Sequence, residues 1–162
     1  MSETRFEIHT TIDGEPTTLV VGAHEPAVAA LRKAGHLGCK LACGQGACGA
    51  CAVQLDSEPV VSCLLPAAHL RGRRVTTVAG LARDGALHPV QRAFMAHDAL
   101  QCGYCTPGFL VRAAAFHDRW RAEHPGERPE RDRIAAELAV HLCRCVAYDP
   151  IFAAVAAACA GE

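Results

Sequence analysis

Short runs of alternating hydrophobic and polar residues fill the first half of the chain. Five such runs predict strands: residues 5–10, 17–21, 51–55, 59–63 and 74–78. The first two flank Asp13-Gly14, a dipeptide suited to a tight turn with positive φ, so they are expected to form a hairpin. A helix is predicted over residues 26–34, where Val28 and Leu31 share one face. Strands around one helix indicate a small α+β domain.

The pattern becomes helical after Gly80. Four helices are predicted there: residues 89–100, 107–122, 129–142 and 150–160. A proline stands near the start of each, and Thr106 and Asp149 occupy positions where N-caps are expected. Short breaks between such helices predict a compact four-helix bundle. The predicted organisation is an α+β domain over 1–79, a linker over 80–88 and an all-α domain over 89–162.

Composition and charge exclude several classes of partner. The chain has 162 residues, of which 51% are hydrophobic and 20% charged, as in ordinary globular proteins. Its formal net charge of −1 gives no electrostatic basis for binding nucleic acid or an anionic membrane. No apolar run is long enough to span a bilayer, so no membrane insertion is expected. Residues 1–10 lack the apolar core of a signal peptide, which predicts a cytoplasmic protein.

Ten cysteines change this ordinary picture. The reducing cytoplasm opposes structural disulfides. Buried free thiols account for one or two cysteines but not for a clustered pattern. Metal ligation is therefore the favoured interpretation. Cys39 and Cys159 stand outside the clusters described next and are expected to be small packed residues.

The first cluster has the spacing C-x4-C-x2-C, formed by Cys43, Cys48 and Cys51, with Cys63 twelve residues later. This is the spacing of plant-type [2Fe–2S] ferredoxins. Each of the two irons needs two thiolates, so a short loop must fold back around the cluster, and its glycines permit that. The segment 44–49 also matches G-x-G-x-x-G, but no hydrophobic strand precedes it and no helix follows. A dinucleotide site is therefore not expected.

The second cluster combines C-x2-C and C-x-C, formed by Cys102, Cys105, Cys143 and Cys145. Both pairs flank predicted helices, so two loops are expected to meet around one small metal centre. The spacing favours a second [2Fe–2S] centre and leaves a structural zinc site open. Cys102-Gly103-Tyr104-Cys105 is similar to a thioredoxin-type redox pair, but the βαβ context of that motif is missing.

Taken together, the motifs resemble one known family along the whole chain. The matching stretches are residues 43–51, Ser62-Cys63-Leu64, His88-Pro89-Val90-Gln91, residues 101–108 and Leu142-Cys143-Arg144-Cys145. They occur in the order and at the approximate separations of the small iron–sulfur subunit of the molybdenum hydroxylases, the xanthine oxidase group. The resemblance implies that both centres are [2Fe–2S] clusters.

The resemblance also implies a fold and a set of partners. It implies a β-grasp ferredoxin domain followed by a four-helix domain. A large subunit would carry the molybdopterin cofactor, and a medium FAD-binding subunit or a cytochrome would accept electrons. Gln101 and Cys145 would contact the pterin, and Cys145 would also ligate iron. Electrons would pass from molybdenum through the helical-domain cluster to the ferredoxin-domain cluster.

Several positions depart from the pattern of the family. His141 replaces a common Asn, and Val146-Ala147 replace Thr-Gly beside the implied pterin contact. Gln45 replaces a common Glu, and Cys39 stands where Thr is usual. All eight implied ligands are nevertheless present. Because Val146-Ala147 lie beside the implied pterin contact, we expect the departures to alter hydrogen bonding mainly there.

The predicted function is therefore electron transfer within a molybdenum hydroxylase complex. Neither a Ser/His/Asp set nor a paired-carboxylate arrangement suggests substrate chemistry on this chain, so no catalytic residue is assigned. The alternative is a free-standing two-cluster electron carrier. The substrate, the terminal acceptor and the stoichiometry depend on other subunits.

Overall fold

The computed structural model describes residues 4–162, so the first three residues of the predicted domain 1–79 lie outside the described part. Five strands form one sheet: β1 (Arg5–Ile12), β2 (Glu15–Gly22), β3 (Ala52–Leu55), β4 (Glu58–Val61) and β5 (Arg74–Thr76). Their order is β2-β1-β5-β3-β4, with β5 parallel to β1 and the other pairs antiparallel. Helix α1 (Ala27–Lys33) packs on this sheet, as the sequence pattern predicts.

The hairpin and its core follow from local sequence. Asp13 and Gly14 have φ values of 53° and 92°, which confirms the predicted turn. Ile8 and Ile12 of β1 point inward and pack with Leu31 of α1 in a buried cluster. Alternation along the strand thus places one face on the core and the other on the surface.

The second half of the chain is helical. Its helices are α2 (Pro89–Ala96), α3 (Thr106–Glu123), α4 (Arg131–Leu138) and α5 (Tyr148–Ala160). They enclose a separate core in which Phe94, Phe109, Phe116 and Ile151 are almost completely buried. Among the helices of residues 4–162, none is long and apolar enough to cross a membrane.

The two predicted N-caps are wrong. Thr106 is the first residue of α3, because Cys105 before it already has helical angles (φ −82°, ψ −17°). Asp149 lies inside α5, and its carboxylate accepts a hydrogen bond of 2.5 Å from Arg131. Within residues 4–162, the side chain that does cap a helix is His88, whose Nδ1 accepts from the backbone N–H of Val90 at the start of α2.

The segment between the two halves is anchored on both sides. The carboxylate of Asp13 accepts hydrogen bonds from the backbone N–H and the hydroxyl of Thr77, at 2.6 and 2.7 Å. Gln91 of α2 donates to the carbonyl of Val78 at 3.0 Å. A short 3₁₀ turn, Ala79–Leu81, follows. The start of the segment is therefore tied to the hairpin turn and to the helical half at once.

Candidate metal centres

The first four-cysteine set lies at one end of the sheet. The loop between α1 and β3 carries Cys43, Cys48 and Cys51, and Cys63 follows β4. Because Ala52 of β3 pairs with Val61 of β4, the ends of these strands bring Cys51 and Cys63 close together. Three glycines of the loop have positive φ, at positions 44, 46 and 49. These conformations let the loop curl back on itself, as the spacing predicts.

The thiols of this set meet in two pairs. The side chain of Cys43 interacts with that of Cys48, and the side chain of Cys51 interacts with that of Cys63. Cys51 and Cys63 are buried, whereas Cys43 and Cys48 are partly exposed. The set therefore has an outer and an inner pair, and two thiols per pair is what each iron of a [2Fe–2S] cluster requires.

The surroundings shift the thiol pKa in opposite directions in the two pairs. The backbone N–H of Gln45 and the neighbouring thiol of Cys48 lower the pKa of Cys43 to about 6. Burial raises the pKa of Cys51 to about 12. A buried thiol of this kind becomes a thiolate when it binds a metal cation, which supplies the missing positive charge.

The second four-cysteine set lies among the helices. Cys102 and Cys105 precede α3, and Cys143 and Cys145 lie between α4 and α5. Here too the side chains meet in pairs, Cys102 with Cys145 and Cys105 with Cys143. The backbone N–H of Tyr104 lowers the pKa of the exposed Cys102, while burial raises the pKa of Cys105 to about 12. The second set thus repeats the outer and inner pairs of the first.

The second set surrounds an open space. A cavity of about 430 Å³ is lined by three of its thiols (Cys102, Cys105 and Cys143) and by Cys48 of the first set. The backbone around Cys143 is held in place by Tyr148, whose hydroxyl accepts from the Cys143 N–H at 2.9 Å. All ten cysteines lie within residues 4–162 and none forms a disulfide. Reduced, paired thiols around a cavity suit a small metal cluster held by four thiolates.

One backbone hydrogen bond joins the two sets. The N–H of Leu142, next to Cys143, donates to the carbonyl oxygen of Cys48 at 3.1 Å. Close by, Gly108 of α3 packs directly on Gly49, where a Cβ atom on Gly108 would overlap the Gly49 carbonyl oxygen. The two cysteine sets are therefore connected through the backbone by a single hydrogen bond from the residue next to Cys143.

His141 fills the space between the two cysteine sets. Its ring is 3% exposed and lies against Gly49, where an added Cβ would stand 2.5 Å from the ring, and against the ring of Phe109 at 5.0 Å between centroids. Burial and the charge of Arg112 lower the pKa of His141 to about 4. The imidazole is therefore neutral at physiological pH and serves as packing rather than as a charged group.

The residues implied to contact a pterin lie at the surface beside the second set. Gln101 is exposed next to Cys102, and Cys145 is partly exposed. Val146 is 72% exposed and has a φ of 60°, a conformation that branched side chains rarely adopt. Ala147 is buried, and its N–H points to the sulfur of Cys143 at 3.5 Å. The departures from the family pattern therefore change the rim of the site at Val146.

A cluster that sequence reasoning missed joins α2 to α3. The Oδ1 atom of Asp118 lies 3.1 Å from Nε2 of His88 and 2.8 Å from Nδ1 of His117. Three such groups could hold a metal ion. However, Nδ1 of His88 already accepts from Val90, so Nε2 of the neutral ring carries the proton and donates to Asp118. The cluster is therefore a hydrogen-bonded tie between helices.

We expect Asp118→Asn to destabilise the protein by about 1 kcal/mol at pH 7, the scale of one screened hydrogen-bonded pair. Desolvation opposes ionisation of Asp118, but the hydrogen bonds from His117 and His88 outweigh it and hold its pKa below the usual range. The contribution is thus complete above the ordinary carboxyl pKa of about 4 and is lost only as pH falls below it. Thermal unfolding at pH 7 and pH 9 should show the same deficit, while Glu123→Gln on the same helix shows none. Equal unfolding temperatures for Asp118→Asn and wild type would contradict the tie.

Comparisons with known proteins cover both halves of the chain. Residues 10–78 match the "2Fe-2S iron-sulfur cluster binding domain" family and residues 77–156 the "[2Fe-2S] binding domain" family. The nicotine 6-hydroxylase small subunit of Paenarthrobacter nicotinovorans is 41% identical over 93% of this chain and 88% of its own length. The xanthine dehydrogenase iron-sulfur-binding subunit of Escherichia coli O157:H7 is 38% identical over 93% of this chain and 91% of its own length.

Solved structures agree with these relatives. A chain of quinoline 2-oxidoreductase from Pseudomonas putida 86 superimposes with a TM-score of 0.87 and 36% identity, covering 97% of this chain and 94% of its own length. The aldehyde oxidoreductase of Desulfovibrio desulfuricans matches with a TM-score of 0.84 and 35% identity, over 95% of this chain and 17% of its own length. The predicted α+β domain followed by a helical domain is thereby confirmed.

Proposed function

This chain belongs to the family of small iron–sulfur subunits of the molybdenum hydroxylases, and we propose that eight of its cysteines are the cluster ligands that carry its function. It is the electron-transfer subunit of an oxidoreductase complex whose other subunits hold the molybdenum cofactor and FAD. Its own cofactors are two [2Fe–2S] clusters, which accept and release single electrons when bound. Membership of this family opposes the alternatives of a zinc module and a free-standing carrier.

The observed thiol pairs support a specific assignment of ligands. In the first centre, Cys43 and Cys48 hold the outer iron and Cys51 and Cys63 the inner iron. In the second centre, Cys102 and Cys145 hold the outer iron and Cys105 and Cys143 the inner iron. The side chains of each pair already interact with one another, which supports their binding to the same iron.

The hydrogen bond between Leu142 and Cys48 is the single observation that carries this proposal. It links a ligand of the first centre to the residue beside Cys143, a ligand of the second. The outer Cys102/Cys145 pair would be the entry side for electrons, and Gln101 and Cys145 would contact the pterin of the large subunit. The Cys105/Cys143 pair would face the first centre, and the partly exposed Cys43 would face the flavin subunit or another acceptor.

Exposed apolar side chains around the second centre support docking of the large subunit there. Leu100, Tyr104, Leu142 and Val146 all lie at the surface close to the Cys102/Cys145 pair. An apolar surface beside a functional site is typical of a protein interface. The relatives of this chain belong to enzymes named for nicotine, nicotinate, xanthine and aldehyde. Because similar small subunits occur in enzymes with such different names, we assign the choice of substrate to the large subunit.

The organisation into residues 1–79, a linker at 80–88 and residues 89–162 is part of the same proposal. The break between the two matched families, near residues 77–78, supports it. A cytoplasmic location is likewise proposed, because reduced thiols persist in that compartment.

We expect the native complex to contain molybdenum and this chain together, and to be red-brown. Reduction should produce two electron paramagnetic resonance signals, because the two centres have different surroundings. Elemental analysis of the same sample measures its iron, zinc and sulfide contents, and we expect iron and sulfide rather than zinc. A colourless preparation with zinc and no sulfide would contradict the ligand assignment, and a stable monomer without a molybdenum-containing partner would contradict the subunit role.

A further inference from the structure

Two buried side chains outside the ligand set converge on the carbonyl oxygen of Cys51. The hydroxyl of Ser62 donates to this oxygen at 2.6 Å. The sulfur of Cys39 lies 3.4 Å from the same oxygen and 3.3 Å from the Ser62 hydroxyl. Ser62 and Cys39 are almost completely inaccessible to solvent. Neither residue is among the proposed ligands, so this network needs another explanation.

The network lies where the β3–β4 ladder ends and the inner pair begins. Cys51 and Ser62 occupy the positions next to the last paired residues, Ala52 and Val61. The ladder bond expected there, from the Ser62 N–H to the Cys51 carbonyl, has stretched to 3.4 Å. The strands therefore separate at this point, and the short bond from the Ser62 hydroxyl holds them at a defined spacing.

The direction of the hydrogen bonds follows from the number of protons. The single hydroxyl proton of Ser62 goes to the Cys51 carbonyl, so the Cys39 thiol acts as a donor, with the Cys51 carbonyl oxygen at 3.4 Å and the Ser62 oxygen at 3.3 Å as its acceptors. Successive bonds of this kind strengthen one another in a buried setting. Cys39 is itself fixed, because its carbonyl accepts from Arg32 at 2.9 Å. The N–H of Lys40 also bonds the carbonyl of Ala50, at 3.2 Å.

We propose that Ser62, supported by Cys39, is a positioning residue for the iron held by Cys51 and Cys63. This inference rests on the ligand assignment proposed above. Ser62 precedes Cys63 and bonds the backbone of Cys51, so its hydroxyl sets the spacing between the two ligand backbones of one iron. Cys39 does not ligate iron in this arrangement; its thiol donates within the network formed by the Cys51 carbonyl and the Ser62 hydroxyl. The network therefore controls the geometry of the first cluster and leaves the second unaffected.

The test uses the purified complex carrying Ser62→Ala or Cys39→Ala. Both changes should alter the g-values and the midpoint potential of the ferredoxin-domain cluster. Its signal should also disappear about tenfold faster in an iron chelator, the scale of one lost buried hydrogen bond. Cys39→Ser retains a donor and should restore wild-type behaviour. Cys159→Ala removes the other buried spare thiol, in α5, and serves as the matched control.

Several outcomes decide the matter. The positioning role would be overturned if the Ser62→Ala variant kept the wild-type g-values, midpoint potential and chelation rate of the ferredoxin-domain cluster. Equal changes in both clusters, or equal effects of Cys39→Ala and Cys159→Ala, would also overturn it, because they indicate general destabilisation. A Cys39→Ser variant that behaves like Cys39→Ala would contradict the role of the thiol proton. Absence of two [2Fe–2S] signals in the wild-type complex would instead overturn the ligand assignment.

Discussion

In the Cys145→Ser variant, reduction of the clusters by substrate should slow by at least on the order of 100-fold, the upper end of what changes in outer-shell partners of metal ligands cost. Cys145 forms the outer pair of the second four-cysteine set with Cys102, on the side proposed to face the pterin. Serine offers a harder oxygen ligand, so it weakens a centre that prefers soft thiolates. Dithionite reaches the clusters from solvent and should be affected much less.

Stopped-flow absorbance with substrate and then with dithionite measures the two routes in one preparation. The control is Cys159→Ser, since Cys159 is buried in α5 and belongs to neither cysteine set. Its two rates should equal those of the wild type. Equal losses by substrate and by dithionite in Cys145→Ser would contradict the entry of electrons at the Cys102/Cys145 pair.

The second large effect is expected from Gly108→Ala. A Cβ atom there would overlap the carbonyl oxygen of Gly49 and lie 3.2 Å from Cα of Ala50, so backbone rather than a flexible side chain must move. Overpacking of this kind costs about 1–3 kcal/mol. The displaced loop carries Cys48, whose carbonyl accepts from Leu142. We therefore expect a lower unfolding temperature together with slower electron transfer between the two clusters.

Rapid-freeze paramagnetic resonance after substrate addition follows each cluster separately. The second centre should still be reduced at the wild-type rate, while reduction of the first centre is delayed. Gly38→Ala is the matched control, because its added Cβ would meet a side-chain atom, Cγ1 of Val78 at 2.7 Å, rather than backbone, and it lies outside the contact between Gly108 and Gly49. Simultaneous reduction of both centres in Gly108→Ala would show that the contact does not control transfer.

Local sequence predicted the elements well but not their ends. The helix predicted over 129–142 is Arg131–Leu138 in the structure. Residues 139–142 leave the helix because Leu142 donates its N–H to Cys48 in the other half of the chain. Thr106 was expected to precede α3, yet Cys105 has helical angles and draws it into the helix. In the first place a contact with a cysteine loop shortened the helix, and in the second the helical backbone of a cysteine lengthened it.

The sequence by itself determined the two four-cysteine sets, the Asp13-Gly14 hairpin and the order of an α+β and a helical half. These features depend on spacing and periodicity within short segments, which a linear pattern records. Only the tertiary structure decided which thiols pair, and which pair of each set is the less exposed one. It also decided that Gly108 packs on Gly49. Such contacts join residues far apart in the chain, and they arise because helix α3 of the second half packs against strand β3 of the first.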